Sequence, residues 1–276
     1  MDSLVSTGWL AQHLGEPDLV VVDASWHMPS AGRSGRDEYR AAHIPGARFL
    51  DIDAVSDRSR AAPHMLPSAA EFGAAMEALG VGREDRIVVY DNSPLRTAAR
   101  GWFMLRHFGA EQVAILDGGF ERWVAEGHPT DGVEPAPRNA RFDAVERDEI
   151  VTKQQLLAGA GLPWVDARGK PRFEGTEPDP RPGVAAGHAP GARNLPFAAL
   201  YRDDGRFKPP EEIRRLFAEA GVDPARPFVA SCGSGVTANS LIFAAHLLGN
   251  DHGRLYDGSW SEWGADPATP KVLGPA

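Results

Sequence analysis

Short apolar runs alternate along this chain with longer segments whose apolar residues recur every three or four positions. Leu19–Ala24, Arg86–Asp91, Val113–Leu116 and Pro227–Ser231 are of the first kind, brief and mostly apolar. Runs of that length read as strands buried on both faces. In the second kind, Phe72, Met76 and Leu79 share one face of a helix predicted over about 69–79. Ser68, with Glu71 three residues on, supplies its capping-box start. A second helix is predicted over about 97–108. Ile213, Leu216, Phe217 and Ala220 fall at i, i+3, i+4 and i+7, and so do Leu241, Ala244, Ala245 and Leu248. Strands alternating with helices predict an α/β fold, with mainly parallel sheets flanked by helices on both faces.

The pattern occurs twice. His43-Ile-Pro-Gly-Ala-Arg48 recurs as His188-Ala-Pro-Gly-Ala-Arg193, and Val20-Val-Val-Asp-Ala24 as Trp164-Val-Asp-Ala167. Asp117-Gly-Gly-Phe-Glu-Arg-Trp123 recurs as Asp257-Gly-Ser-Trp-Ser-Glu-Trp263. Offsets that drift between 145 and 140 residues mean two homologous halves with small insertions. Thr130–Glu149 carries Pro135, Pro137 and several charges and has no periodicity, which reads as a connection. The expected division is therefore a domain over 1–135, a linker over 136–150 and a domain over 151–276.

The chain has one cysteine, Cys232, which opens the loop Cys232-Gly-Ser-Gly-Val-Thr237 between a predicted strand and a predicted helix. A lone cysteine is usually a small buried hydrophobe. Gly233, Ser234, Gly235 and Thr237 make poor core, however. A loop of this kind can turn backbone N–H groups inward with a helix N-terminus behind them, which favours an anion at its centre. Helix N-termini bring cysteine ionisation from about 8.5 down to roughly 3.5–7.5. Cys232 is therefore expected to be a reactive thiolate. Asp91 stands opposite it in the first half, and Pro94 removes one N–H donor there. The first half is expected to keep the fold without the chemistry.

Composition narrows the partners. A net charge of −9 over 276 residues argues against nucleic acid or an anionic membrane surface. No apolar run approaches the ~20 residues needed to span a bilayer. One cysteine rules out an internal disulfide and any Cys-x-x-Cys redox or zinc motif. With no positively charged, apolar leader at the N-terminus, the expected location is the cytoplasm, and no metal or organic cofactor is expected.

Taken together, the paired His-x-Pro-Gly-Ala segments, the Asp-Gly-Gly-Phe and Asp-Gly-Ser-Trp turns and the Cys232 loop resemble the tandem-domain sulfurtransferases of the rhodanese superfamily. The resemblance runs from Leu4 to about Pro270. It implies a persulfide carried on Cys232 and cradled by Gly233, Gly235, Val236 and Thr237. Thiosulfate-using members place basic residues after the cysteine. Gly233 and Ser234 instead resemble the subclass whose donor is 3-mercaptopyruvate, with thiosulfate as the alternative donor. It further implies that Arg172 and Arg181 hold the donor, and that Asp53, His64 and Ser234 handle protons. The implied acceptors are cyanide, a small thiol or a protein thiol such as thioredoxin. Arg168, Arg193, Asp166, His43 and His188 read as structural. A phosphatase reading fails because Ala238, not arginine, lies six residues after Cys232. A non-catalytic sulfur-carrier or binding module is the remaining alternative.

Overall fold

A computed structural model describes residues 1–276, which form two compact units, each with its own sheet. In the first, β1 (Leu4–Val5), β2 (Leu19–Asp23), β3 (Arg48–Phe49), β4 (Arg86–Tyr90) and β5 (Val113–Leu116) lie in the order β1-β5-β4-β2-β3. In the second, β6 (Trp164–Asp166), β7 (Arg193–Asn194), β8 (Phe228–Ser231) and β9 (Gly253–Leu255) lie in the order β7-β6-β8-β9. Every strand pair is parallel. Matching β2 with β6, β4 with β8 and β5 with β9 superposes the two orders, so the repeat read from short motifs is a repeat of topology.

The helices of the first unit are α1 (Thr7–His13), α2 (Gly35–Ala41), α3 (Ala69–Leu79), α4 (Ala98–His107) and α5 (Gly119–Ala125). Those of the second are α6 (Lys153–Leu157), α7 (Lys170–Glu174), α8 (Pro210–Glu219), α9 (Asn239–Leu247) and α10 (Ser259–Trp263). The capping box at Ser68 and Glu71 forms as the spacing predicts, and Gly80 closes α3 in the left-handed conformation. Central strands are buried along their whole length: Ile87 to Tyr90 in β4 and Phe228 to Ala230 in β8 expose no surface. That is why they read as continuous apolar runs rather than alternating ones.

The units are not simple halves of the sequence. Asp57–Met65 packs with the second unit, and Asp203–Phe207 with the first. The stretch read as a linker behaves differently from that expectation. Residues up to Arg147 belong to the first unit, where Phe142 is buried edge-on to Phe72 and Arg138 pairs with Asp85 at 2.5 Å. Its aperiodicity reflects an irregular strap, fastened by Arg83 N–H to Arg141 C=O and Val145 N–H to Phe108 C=O, not a free connection. No helix is long and apolar enough to cross a membrane.

Candidate active site

The site in the second unit follows from strand order. β6 and β8 are neighbours, but the chain leaves β6 toward β7 and leaves β8 toward β9. The loops after their C-terminal ends therefore diverge and open a crevice, the usual ligand position in an open parallel sheet. Cys232 follows β8 directly. Asp166 ends β6, and Arg168 and the segment with Arg172 and Arg181 follow it.

Cys232 is a free thiol with 2% of its surface exposed. The amides of the loop divide into two sets. The N–H groups of Cys232 and Gly235 point outward and donate to Ser259 Oγ, at 3.0 and 3.1 Å. Those of Gly233, Ser234, Val236 and Thr237 donate to no protein acceptor. Carbonyls are tied back as well. Cys232 C=O accepts from Trp260 N–H, and Gly233 C=O from Ser261 N–H and Oγ–H. Gly235 has φ +73°, and a Cβ there would lie 2.6 Å from Asp257 O, so glycine is required by both conformation and space.

Two guanidinium groups close one side. A Cβ placed on Gly233 would lie 3.1 Å from Arg181 Nη1 and 3.4 Å from Arg172 Nη2. Both arginines are held by Asp179, whose side chain is buried. Its Oδ2 accepts from Arg172 Nη2 at 2.5 Å, and its Oδ1 accepts from the Arg181 backbone N–H at 3.0 Å and from Arg181 Nη1 at 3.4 Å. Two cations share one carboxylate, so the pair keeps a surplus positive charge facing the loop beside the sulfur. In the sequence Asp179 stands between Arg172 and Arg181 with nothing local to mark it. The structure makes it the common anchor of both arginines. Arg168 is different: it forms a buried ion pair with Asp166 at 2.6 Å and stacks over Trp260.

On another side, His64 Nδ1 lies 2.8 Å from Ser234 Oγ, both groups being buried. His64 arrives on the Asp57–Met65 excursion, and its φ of 63° is in the left-handed region, uncommon for residues other than glycine although histidine enters it more readily than most. Such strain persists where surrounding contacts hold it and concentrates at functional sites. Asp53 stands with the first unit, where its carboxylate accepts from the Trp26 indole at 2.9 Å. His43 and His188 are buried and stack on Tyr39 and Phe173, and each Nδ1 lies within hydrogen-bonding distance of a backbone carbonyl. No group of three His, Cys, Asp or Glu side chains is placed to hold a metal ion.

The matching loop of the first unit is filled from within. Asp91 replaces the thiol, and its carboxylate accepts from Ser93 N–H at 2.8 Å and Ala98 N–H at 2.7 Å. The cradle is the same, but its anion is a fixed side chain that cannot attack sulfur.

The arrangement can hold a small anion between two guanidinium groups, present it to a thiol lined by unpaired amides, and move a proton through a serine–histidine pair. Comparison with known proteins places the whole chain in a family. The family described as Rhodanese-like domain matches residues 6–126 and again 151–266. Human 3-mercaptopyruvate sulfurtransferase is 43% identical over 271 residues, covering 95% of this chain and 91% of that protein. Rat thiosulfate sulfurtransferase is 40% identical over 272 residues, with the same coverage. The crystal structure of SseA from Escherichia coli, a 3-mercaptopyruvate sulfotransferase, matches with a TM-score of 0.85 at 36% identity over 95% of this chain and all of that one.

Proposed function

This chain belongs to the rhodanese-like domain family in both halves, and we propose that it is a sulfurtransferase moving sulfur from 3-mercaptopyruvate, through Cys232, to an acceptor. The observation that carries this reading is the placement of Arg172 and Arg181 against Gly233, next to the only thiol. A forked guanidinium pairs with the donor's carboxylate in two parallel hydrogen bonds, each worth about 1.5–3 kcal/mol when charged. Gly233 and Ser234 add no charge of their own, so the loop makes no extra charged bonds to a dianion such as thiosulfate.

The Cys232 thiolate attacks the donor sulfur. The carbon–sulfur bond breaks, and its electron pair leaves on carbon as the enolate of pyruvate. The proton that the donor thiol gives up reaches that carbon by way of Ser234 and His64, releasing pyruvate. The persulfide anion left on Cys232 is stabilised by the amides of Gly233, Ser234, Val236 and Thr237, which no protein group occupies. A thiol acceptor then attacks the outer sulfur, takes it with the proton, and restores the Cys232 thiolate. Cyanide takes the same sulfur as thiocyanate. Small thiols and a thioredoxin-type protein thiol fit this step. A reducing compartment, the cytoplasm on our reading, suits a chain with no second cysteine to resolve the first.

Intact-protein mass spectrometry after adding donor without acceptor is expected to show one extra sulfur on the wild type and none on Cys232→Ser. Arg181→Ala is expected to raise the donor KM about 10- to 100-fold, the loss of one charge-assisted bond, while leaving Cys232 open to alkylation. An unmodified wild-type mass with either donor would end this reading. A second reading, thiosulfate as donor, is favoured by the surplus charge of the arginine pair, which also suits a sulfonate. Comparing kcat/KM for pyruvate release and for sulfite release on one preparation separates the two.

A further inference from the structure

The two halves differ at two more positions that nothing in the mechanism above uses. In the Asp-Gly-Gly-Phe and Asp-Gly-Ser-Trp turns, Gly119 stands where the second half has Ser259. In the loop alignment that sets Asp91 opposite Cys232, Ala98 stands where the second half has Asn239. Both second-half residues are completely buried. Gly119 has φ +60°, and Ser259 keeps the same left-handed backbone at φ +48° although it carries a side chain. A non-glycine residue there costs energy and persists only where its surroundings demand it.

Its hydroxyl shows what is gained. Ser259 Oγ accepts from both Cys232 N–H and Gly235 N–H and donates to Tyr256 C=O at 2.9 Å. Asn239 holds the other strand of the loop: its Nδ2 donates to Gly235 C=O at 2.7 Å and Val236 C=O at 2.9 Å. Its Oδ1 is buried without a partner, so the orientation is fixed by those two carbonyls. In the first half the same work is done from inside, by the Asp91 carboxylate on Ser93 and Ala98 N–H.

We propose that Ser259 and Asn239 are positioning residues that brace the Cys232 loop from its outer side, so that its interior stays free to receive sulfur. The inference rests on the sulfurtransferase reading for its purpose and on the hydrogen bonds for its geometry. A loop held by its own aspartate has no room for a charged sulfur. A loop held from behind keeps the amides of Gly233, Ser234, Val236 and Thr237 for one. The strained serine is thus the counterpart of the thiol: where the chain has Cys232 it has Ser259 and Asn239, and where it has Asp91 it has glycine and alanine.

The test uses the full chain with Ser259→Gly, Ser259→Ala and Ser259→Thr. Glycine removes the hydroxyl and the strain, alanine only the hydroxyl, and threonine keeps it. Turnover is normalised to the fraction of protein that takes up one sulfur, and alkylation of Cys232 by iodoacetamide is timed on the same samples. Glycine and alanine are expected to lower kcat per competent site at least 10-fold and to slow alkylation at least threefold. Donor KM should stay within twofold, because both arginines remain anchored by Asp179. Threonine keeps the hydroxyl and should recover part of the loss, its branched side chain being more strained on this backbone. Ser259→Gly should melt above Ser259→Ala, which orphans the same two N–H groups without relieving the strain. Asn239→Ala is expected to act in the same direction. Wild-type kcat and alkylation in Ser259→Gly would overturn the brace, and so would a loss explained wholly by a lower melting temperature. If the wild type takes up no sulfur from either donor, the transferase reading falls, and the alkylation rates still decide the brace.

Discussion

At the scale of single residues, the two units surround the same buried aspartate differently. Asp166, at the end of β6, has Arg168 beside it. At the matching end of β2, Asp23 has Ser25, and its carboxyl is pushed up to about 6 by burial and, less strongly, by the neighbouring charge of Asp91. Burial likewise raises Asp91 above the usual carboxylate range, against the pull of its two amide hydrogen bonds. Because the folded value for Asp23 exceeds the unfolded one, folding favours the protonated form. Its contribution to stability is complete below about pH 4 and is lost as pH rises through about 6. Asp23→Asn is therefore expected to stabilise the protein at pH 7, by up to about 3 kcal/mol for a displacement of this size, and to do little at pH 4. Denaturant unfolding at the two pH values checks this, and an equal effect at both would contradict it.

Among the elements, helices and central strands form where their apolar spacing places them, and the surprise lies between them. Phe72 on α3 stacks on Phe108 at 4.3 Å between ring centroids and meets Phe142 edge-on at 5.6 Å. Phe142 lies on the aperiodic strap after α5, so this irregular segment supplies core to the first unit. Phe142→Ala is expected to destabilise that unit by about 3–5 kcal/mol, the cost of emptying a packed aromatic position. In a free linker the same change would fall within about 0.5 kcal/mol. Thermal unfolding distinguishes the two.

On the scale of the whole molecule, sequence halves and compact units do not coincide. The Asp57–Met65 excursion gives the second unit a histidine from the sequence half that carries Asp91 where the other carries its thiol. Two substitutions in that half should thus behave differently. His64→Ala is expected to lower turnover about 10²- to 10⁴-fold, the usual worth of a positioned acid–base group, with Cys232 still present and alkylatable. Asp91→Asn, in the filled loop of the first unit, is expected to leave turnover within twofold. Steady-state assays with 3-mercaptopyruvate compare them directly, and equal effects would show that the first half matters only as scaffold.

The alternation of strands and helices, the internal repeat and the unusual loop at Cys232 are all legible in the residues alone. These are written in short-range patterns: apolar spacing, capping residues, and glycines where the backbone must turn. His64, Ser234, Arg172 and Arg181 were reachable only through resemblance, since nothing local to any of them specifies a partner. Folding adds that Asp179 anchors both arginines, that residues 57–65 join the second unit, and that Ser259 and Asn239 hydrogen-bond the loop from behind. Each of these depends on distant segments meeting where the chain leaves β6 and β8 in opposite directions, and a local pattern carries no record of which loops a sheet will bring together.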